Sequence, residues 1–400
     1  MPKQFEGFTK IVLRFLSILL QIKQMLIFNK INEFLSKKKR QTGENGNPNN
    51  FESLIKTKVL EIYTRKNKNL NLEDLNYEML FRDLELMKEA IKEINDVDYG
   101  KEKEKLMITI KKNRKELIAF EKRHYERWQK ALDLYEMMIQ FSIELGEKQK
   151  RRLGEKNEYI TDAKYVALLK IHARSILIAR EILVLLKAGY IDGAHARWRS
   201  MHELAVISLF LLNNETIVSE RYLNHSYIRR AFESKDFNEY SSKTGYAPYT
   251  EEELKDFEET RKKLEEKYGN DYDYTGGFGW IPISITKNRN FKQLEKLSGI
   301  DHLRPYYNWS SNQVHGGAHG FEYLGVPEFE RNNILFIGPS NHGVTDPIHS
   351  AALSLLHTTM AFLSSEKYPE LAKDIDLLGR FADEVGNKAL EVTNEFEKED

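Results

Sequence analysis

Two long apolar stretches follow one another almost without interruption, Tyr165 to Ala188 (YVALLKIHARSILIAREILVLLKA) and Gly189 to Leu212 (GYIDGAHARWRSMHELAVISLFLL). The short link GYIDG leaves room only for a tight reversal, so the pair predicts an antiparallel helical hairpin, with Gly189 as the C-cap of its first helix. So much apolar surface must be buried, which puts the hairpin at the centre of the fold. The second helix also carries His195, Arg197, Arg199, His202 and Glu203. Buried ionisable groups are costly unless paired, so partners for them are expected from elsewhere in the chain.

The rest of the sequence fits an all-α, multi-helix bundle. Only 9 of 400 residues are proline, 30% are charged, and Leu, Ile, Lys and Glu recur in long runs. Without cysteine there are no disulfides, thiolate metal sites or cysteine nucleophiles, and the composition fits a reducing, cytoplasmic compartment. Lys plus Arg and Asp plus Glu are both 61. This balance argues against coating nucleic acid by bulk charge and leaves only a local basic patch for that purpose.

Residues 1–40 read as an amphipathic helix with a basic cluster, Lys37 to Arg40. Over residues 5–40 this segment either packs within the protein or an oligomer, or lies on a membrane surface. Residues 41–50 (QTGENGNPNN) are a linker. Residues 51–155 form a charged helical region, with helices expected at Leu75 to Ile94 and Lys101 to Leu145 and a buried face of Trp128, Leu132, Tyr135, Met138 and Ile139. Residues 156–365 form the helical core domain. Within it, residues 235–290 are rich in glycine and aromatic residues and read as a lid-like surface insertion, with Phe278 and Trp280 either covering a site or tacking the loop down. A short strand is expected at Asn333 to Gly338, an apolar helix at Ile348 to Ser364, and an acidic terminal helix within residues 366–400.

The partner for the hairpin's polar residues is expected from Tyr306 to Gly320 (YYNWSSNQVHGGAHG). Here Tyr307, Ser311, His315 and His319 recur at steps of four, the spacing that stacks side chains on one helix face; Gly316 and Gly317 predict that the helix ends near His315. On the hairpin, His195, Arg199 and Glu203 share the same step. A histidine at a helix end is accessible and suits acid–base work. The same groups also fit a buried structural network, with Arg199 paired to Glu203 and the tyrosine, serine and histidine bridging two helices. No metal or other cofactor is expected: His315 and His319 have metal-ligand spacing, but there is no HExxH and the glycines disturb the helix. GGFG at 276–279 lacks the Lys-Ser/Thr ending of a phosphate loop, and Ser311 lies in SSNQV rather than GxSxG.

Two family resemblances attach to these residues. Arg197-Trp-Arg-Ser-Met-His202 has the Arg-x4-His form that resembles the HEPN superfamily, helical bundles that include metal-independent ribonucleases of toxin and phage-defence systems. That resemblance implies His202 as acid–base and Arg197 as the charge stabiliser, although Trp198 departs from the polar residue usual there and five residues put the pair about 140° apart on a helix. The second joins Arg199-Ser-Met-His-Glu203 to Tyr307-x3-Ser311-x2-Val314-His315, with Tyr222 on a helix between. In this order the motifs resemble a bacterial family of unknown function, DUF5677, over roughly residues 159–363. The resemblance implies an α-helical protein and marks Arg199, Glu203, Tyr307, Ser311 and His315, but it supplies no activity. The expectation is an anti-phage defence or toxin-like effector acting on RNA without metal, with Tyr307, Ser311, His319 and Tyr222 binding substrate. The alternative is a non-catalytic helical scaffold for a protein partner or membrane surface.

Overall fold

The computed structural model describes residues 51–67, 83–154, 161–274, 277–315, 324–326 and 337–399. The expected N-terminal helix, the linker and His319 lie outside these residues, as does the strand expected at 333–338 except for its last two positions, which are not in a strand. Among the described residues there are ten α-helices and no strand, so the fold is all-α. No described helix is long and apolar enough to cross a membrane.

The chain divides into two compact units, residues 1–116 and 117–400. In the first, α1 (Phe51–Lys66) pairs with the start of α2 (Leu84–Gly154). Ile55, Val59 and Ile62 meet Leu86, Ala90 and Ile94 in a small core, edged by Arg65 and Lys58 on Glu93. The sequence predicts separate helices ending at Ile94 and beginning at Lys101, but α2 runs through without a break. There is no proline in this stretch, and one exposed glycine, Gly100, costs only about 1 kcal/mol relative to alanine, too little to stop a helix with good formers on both sides.

In the second unit the predicted hairpin is α3 (Ala163–Lys187) and α4 (Ile191–Leu212). Asp162 caps α3 by accepting from the Tyr165 N–H, and the reversal passes through Gly189 at φ 76°. A Cβ at Gly189 would lie 2.8 Å from the Phe120 ring and 2.9 Å from the Ser340 carbonyl, so the position needs glycine on two counts. Around the hairpin lie the second half of α2, α9 (Thr345–Leu363) and α10 (Leu371–Glu399). The predicted face Trp128, Leu132, Tyr135, Met138 and Ile139 is buried there against Ile182, Leu186, Trp198, Leu355 and Val385.

A second core gathers the other end of the hairpin with α5 (Thr216–Thr244), α7 (Phe291–Ser298) and the segment made up of residues 269–274 and 277–290. Arg221, 5% exposed, organises that segment: its Nε donates to the Trp280 carbonyl at 2.8 Å, its other nitrogens reach the Tyr268 carbonyl and Asp271. Arg289 adds bonds to the Asp271 carbonyl and to Asp273. Trp280 is therefore a core residue that tacks the segment down. Helix α6 (Glu251–Tyr268), opened by a Thr250/Glu253 capping box, packs on α5 and contributes no fully buried residue.

Candidate functional site on helices α4 and α8

Helix α8 (Arg304–Asn312) follows a 3-10 turn at Asp301–Leu303 and crosses α4. It ends at Asn312, ahead of the glycines. Tyr307 is 7% exposed, and its hydroxyl is the meeting point of the two helices: it donates to Glu203 Oε1 at 2.7 Å and accepts from Arg199 at 2.6 Å. Arg199 also pairs with Glu203 at 3.2 Å, closing a triangle. Burial and the Glu203 carboxylate both push the Tyr307 phenol above its ordinary pKa, so at neutral pH it remains a proton donor. Arg199 is 26% exposed and Glu203 38%, so solvent reaches this triangle. The buried Nε of Arg199 has no hydrogen-bond partner among the described residues.

Behind it lies a second, buried set. His202 Nε2 meets Glu295 Oε1 at 2.9 Å with both side chains fully buried, and Arg304 stands 3.0 Å from the other carboxylate oxygen. The His202 ring is enclosed by Trp198, Phe291 and Tyr307, at centroid distances of 5.3, 5.9 and 5.6 Å. Trp198 in turn donates to Ser354 Oγ at 2.9 Å, and His195 stacks on Trp198 with both ring nitrogens unpartnered among the described residues. Burial drives His195 down to a pKa of about 4, so it is neutral.

The structure brings Arg199, Glu203 and Tyr307 together and keeps Arg197 from His202. Arg197 turns to α3 and pairs with Glu181, while His202 points into the core. Five helical positions separate the two residues in angle, and each has found its own carboxylate. Ser311 is partly buried and spends its hydroxyl proton on the Tyr307 carbonyl of its own helix, at 2.8 Å. His315 stands just past the end of α8, exposed, two turns along from Tyr307. Tyr222 lies elsewhere, edge-on to Trp280 in the second core.

Glu295 and Arg304 are partners that the sequence reading does not anticipate. The signal for Glu295 is present: Phe291, Leu294, Glu295 and Ser298 recur at three and four, so the carboxylate falls on the apolar face of α7 and has to find a cation inside. Among the described residues, no group of three or more metal-ligating side chains is close enough to hold an ion.

No curated protein and no solved structure matches the chain. Residues 165–333, which contain α4, α8 and the Arg199–Glu203–Tyr307 triangle, match the family of unknown function DUF5677.

Proposed function

We propose that the α4–α8 face binds a phosphodiester and that the protein is an RNA-cleaving effector working without metal. The observation that carries this reading is the convergence of Arg199, Glu203 and Tyr307 at a solvent-reached position, with the exposed His315 in the turn three residues beyond the end of α8. In this reading Arg199 holds a non-bridging phosphate oxygen and stabilises the charge of the phosphorane. Tyr307, protonated at neutral pH, can turn its hydroxyl from Glu203 to the phosphate. Glu203 holds both groups in place until substrate arrives. His315 takes the proton from the ribose 2′-hydroxyl as that oxygen attacks phosphorus and returns it to the departing 5′-oxygen, leaving a cyclic 2′,3′-phosphate. His202 has no part in this chemistry because no substrate atom can reach it.

The test is incubation of the purified protein with total RNA in chelator, comparing wild type with Arg199→Ala and His315→Ala. Both variants are expected to lose at least about 100-fold in cleavage rate, a usual loss for an acid–base or charge-stabilising group. If wild-type protein leaves RNA intact, or if His315→Ala cleaves as fast as wild type, the assignment falls and the helical scaffold is the better reading.

A further inference from the structure

The hairpin of α5 and α6 carries a second concave site, apart from the α4–α8 face and independent of the reading given for it. A cavity of about 450 Å³ opens there, lined in part by Arg229, Arg230, Glu233, Phe237 and Tyr249. That volume lies within the range of small-molecule pockets. Two features give it chemical character.

The first is an aromatic wall fixed in advance. Asn238 clamps Tyr249 from both sides of its backbone, accepting from its N–H at 2.7 Å and donating to its carbonyl at 2.9 Å. The Tyr249 ring is thereby held 5.3 Å from Phe237 and edge-on to Phe257 at 5.4 Å. Phe237 and Tyr249 both remain 37% exposed, so their faces are open to a ligand ring.

The second is an arginine with its hydrogen-bonding capacity unspent. Arg229 is neutralised by Glu233, at 3.1 and 2.6 Å, which also cancels the one carboxylate in the lining that would repel an anion. Arg230 has no acidic partner among the described residues; its guanidinium lies 5.9 Å from the Tyr227 ring centroid and 5.8 Å from that of Phe257. A guanidinium near aromatic rings keeps in-plane N–H donors for a bidentate oxyanion.

A stacking platform beside an unpaired arginine is the combination that holds a nucleotide, base on the rings and phosphate on the guanidinium. We propose that the α5–α6 cavity binds a nucleotide through Phe237, Tyr249 and Arg230, either as a free mononucleotide or as one residue of a single strand. Acidic side chains outnumber basic ones on α6, so the contact is local to the cavity and does not extend as a basic track along the hairpin.

The experiment is calorimetric titration of the full chain with adenosine and uridine monophosphates, the corresponding nucleosides, inorganic phosphate, and short oligo-A and oligo-U. Saturable binding of the monophosphates is expected, weakened roughly tenfold or more in Phe237→Ala and in Arg230→Ala. Both side chains are exposed, so circular dichroism should show the fold unchanged. Nucleosides and phosphate alone should bind more weakly than either monophosphate. Binding of the oligonucleotides far above the monophosphates assigns the site to a strand, and equal affinity assigns it to the free nucleotide. Absence of saturable binding by any of these ligands, or binding that neither variant weakens, overturns the proposal. Binding should persist in His315→Ala, so loss of RNA cleavage and loss of this site are separable.

Discussion

Glu295 and Glu203 both meet polar residues of α4, and burial gives them different work. Glu295 is fully enclosed with His202; removing the imidazole leaves one carboxylate oxygen unsatisfied in the core while Arg304 stays on the other, a cost of about 1–3 kcal/mol. His202→Ala is therefore expected to lose that much in urea unfolding; a loss below about 1 kcal/mol would show that the pair does not hold α7 to α4. Glu203 and Arg199 are half-exposed, where an ion pair contributes about 1 kcal/mol at most. Substitution at Glu203 or Arg199 thus reads out activity rather than folding. The four-residue spacing of Arg199 and Glu203 made their pairing legible, and the row begun by Tyr307 pointed to its partner. The burial of His202 was not legible, because spacing gives an angle around α4 but not which neighbour covers it.

Helices show the same division between what is local and what is not. The hairpin α3–α4 and the capping glycine between its helices follow from hydrophobic run and turn chemistry alone. The continuity of α2 and the early end of α8 do not, since both depend on margins near 1 kcal/mol per residue that the sequence does not resolve. Gly146, about two turns before the C-terminal end of α2, is a case where packing opposes propensity. A Cβ there would stand 2.4 Å from Nε2 of His172, which is 4% exposed and stacked on Phe362 at 5.2 Å. The ring cannot step aside without disturbing the second core. Alanine would gain about 1 kcal/mol as a helix former, yet overpacking costs about 1–3 kcal/mol. Gly146→Ala is expected to lower the melting temperature. An unchanged or higher value would show that α2 and α3 can part at this crossing at no cost.

Across the second unit, the buried histidines make stability depend on pH. Burial lowers His172, His195 and His357 to about 4 from an ordinary value near 6.5; His202 and His302 add to the effect on His357. Between pH 4 and 6.5 the unfolded chain therefore binds more protons at these sites than the folded one. Stability is fully present above pH 6.5 and falls as the pH drops through this window, by an amount on the order of 3 kcal/mol for each group. Carboxylates in ion pairs, such as Glu258 beside Arg261, are depressed in the folded state and lose their contribution only as the pH falls below about 4.5, so the histidine part stands apart above that value. His195→Phe isolates the histidine part: it keeps a ring against Trp198 and removes two buried nitrogens without partners among the described residues. At pH 7.5 the variant should be at least as stable as wild type, because no desolvated imidazole remains. Urea midpoints measured from pH 7.5 to 4.5 should fall less steeply than for wild type, by about one proton in the linkage slope. Identical slopes would mean that His195 takes up its proton without unfolding the core, through an opening large enough to admit water beside Trp198.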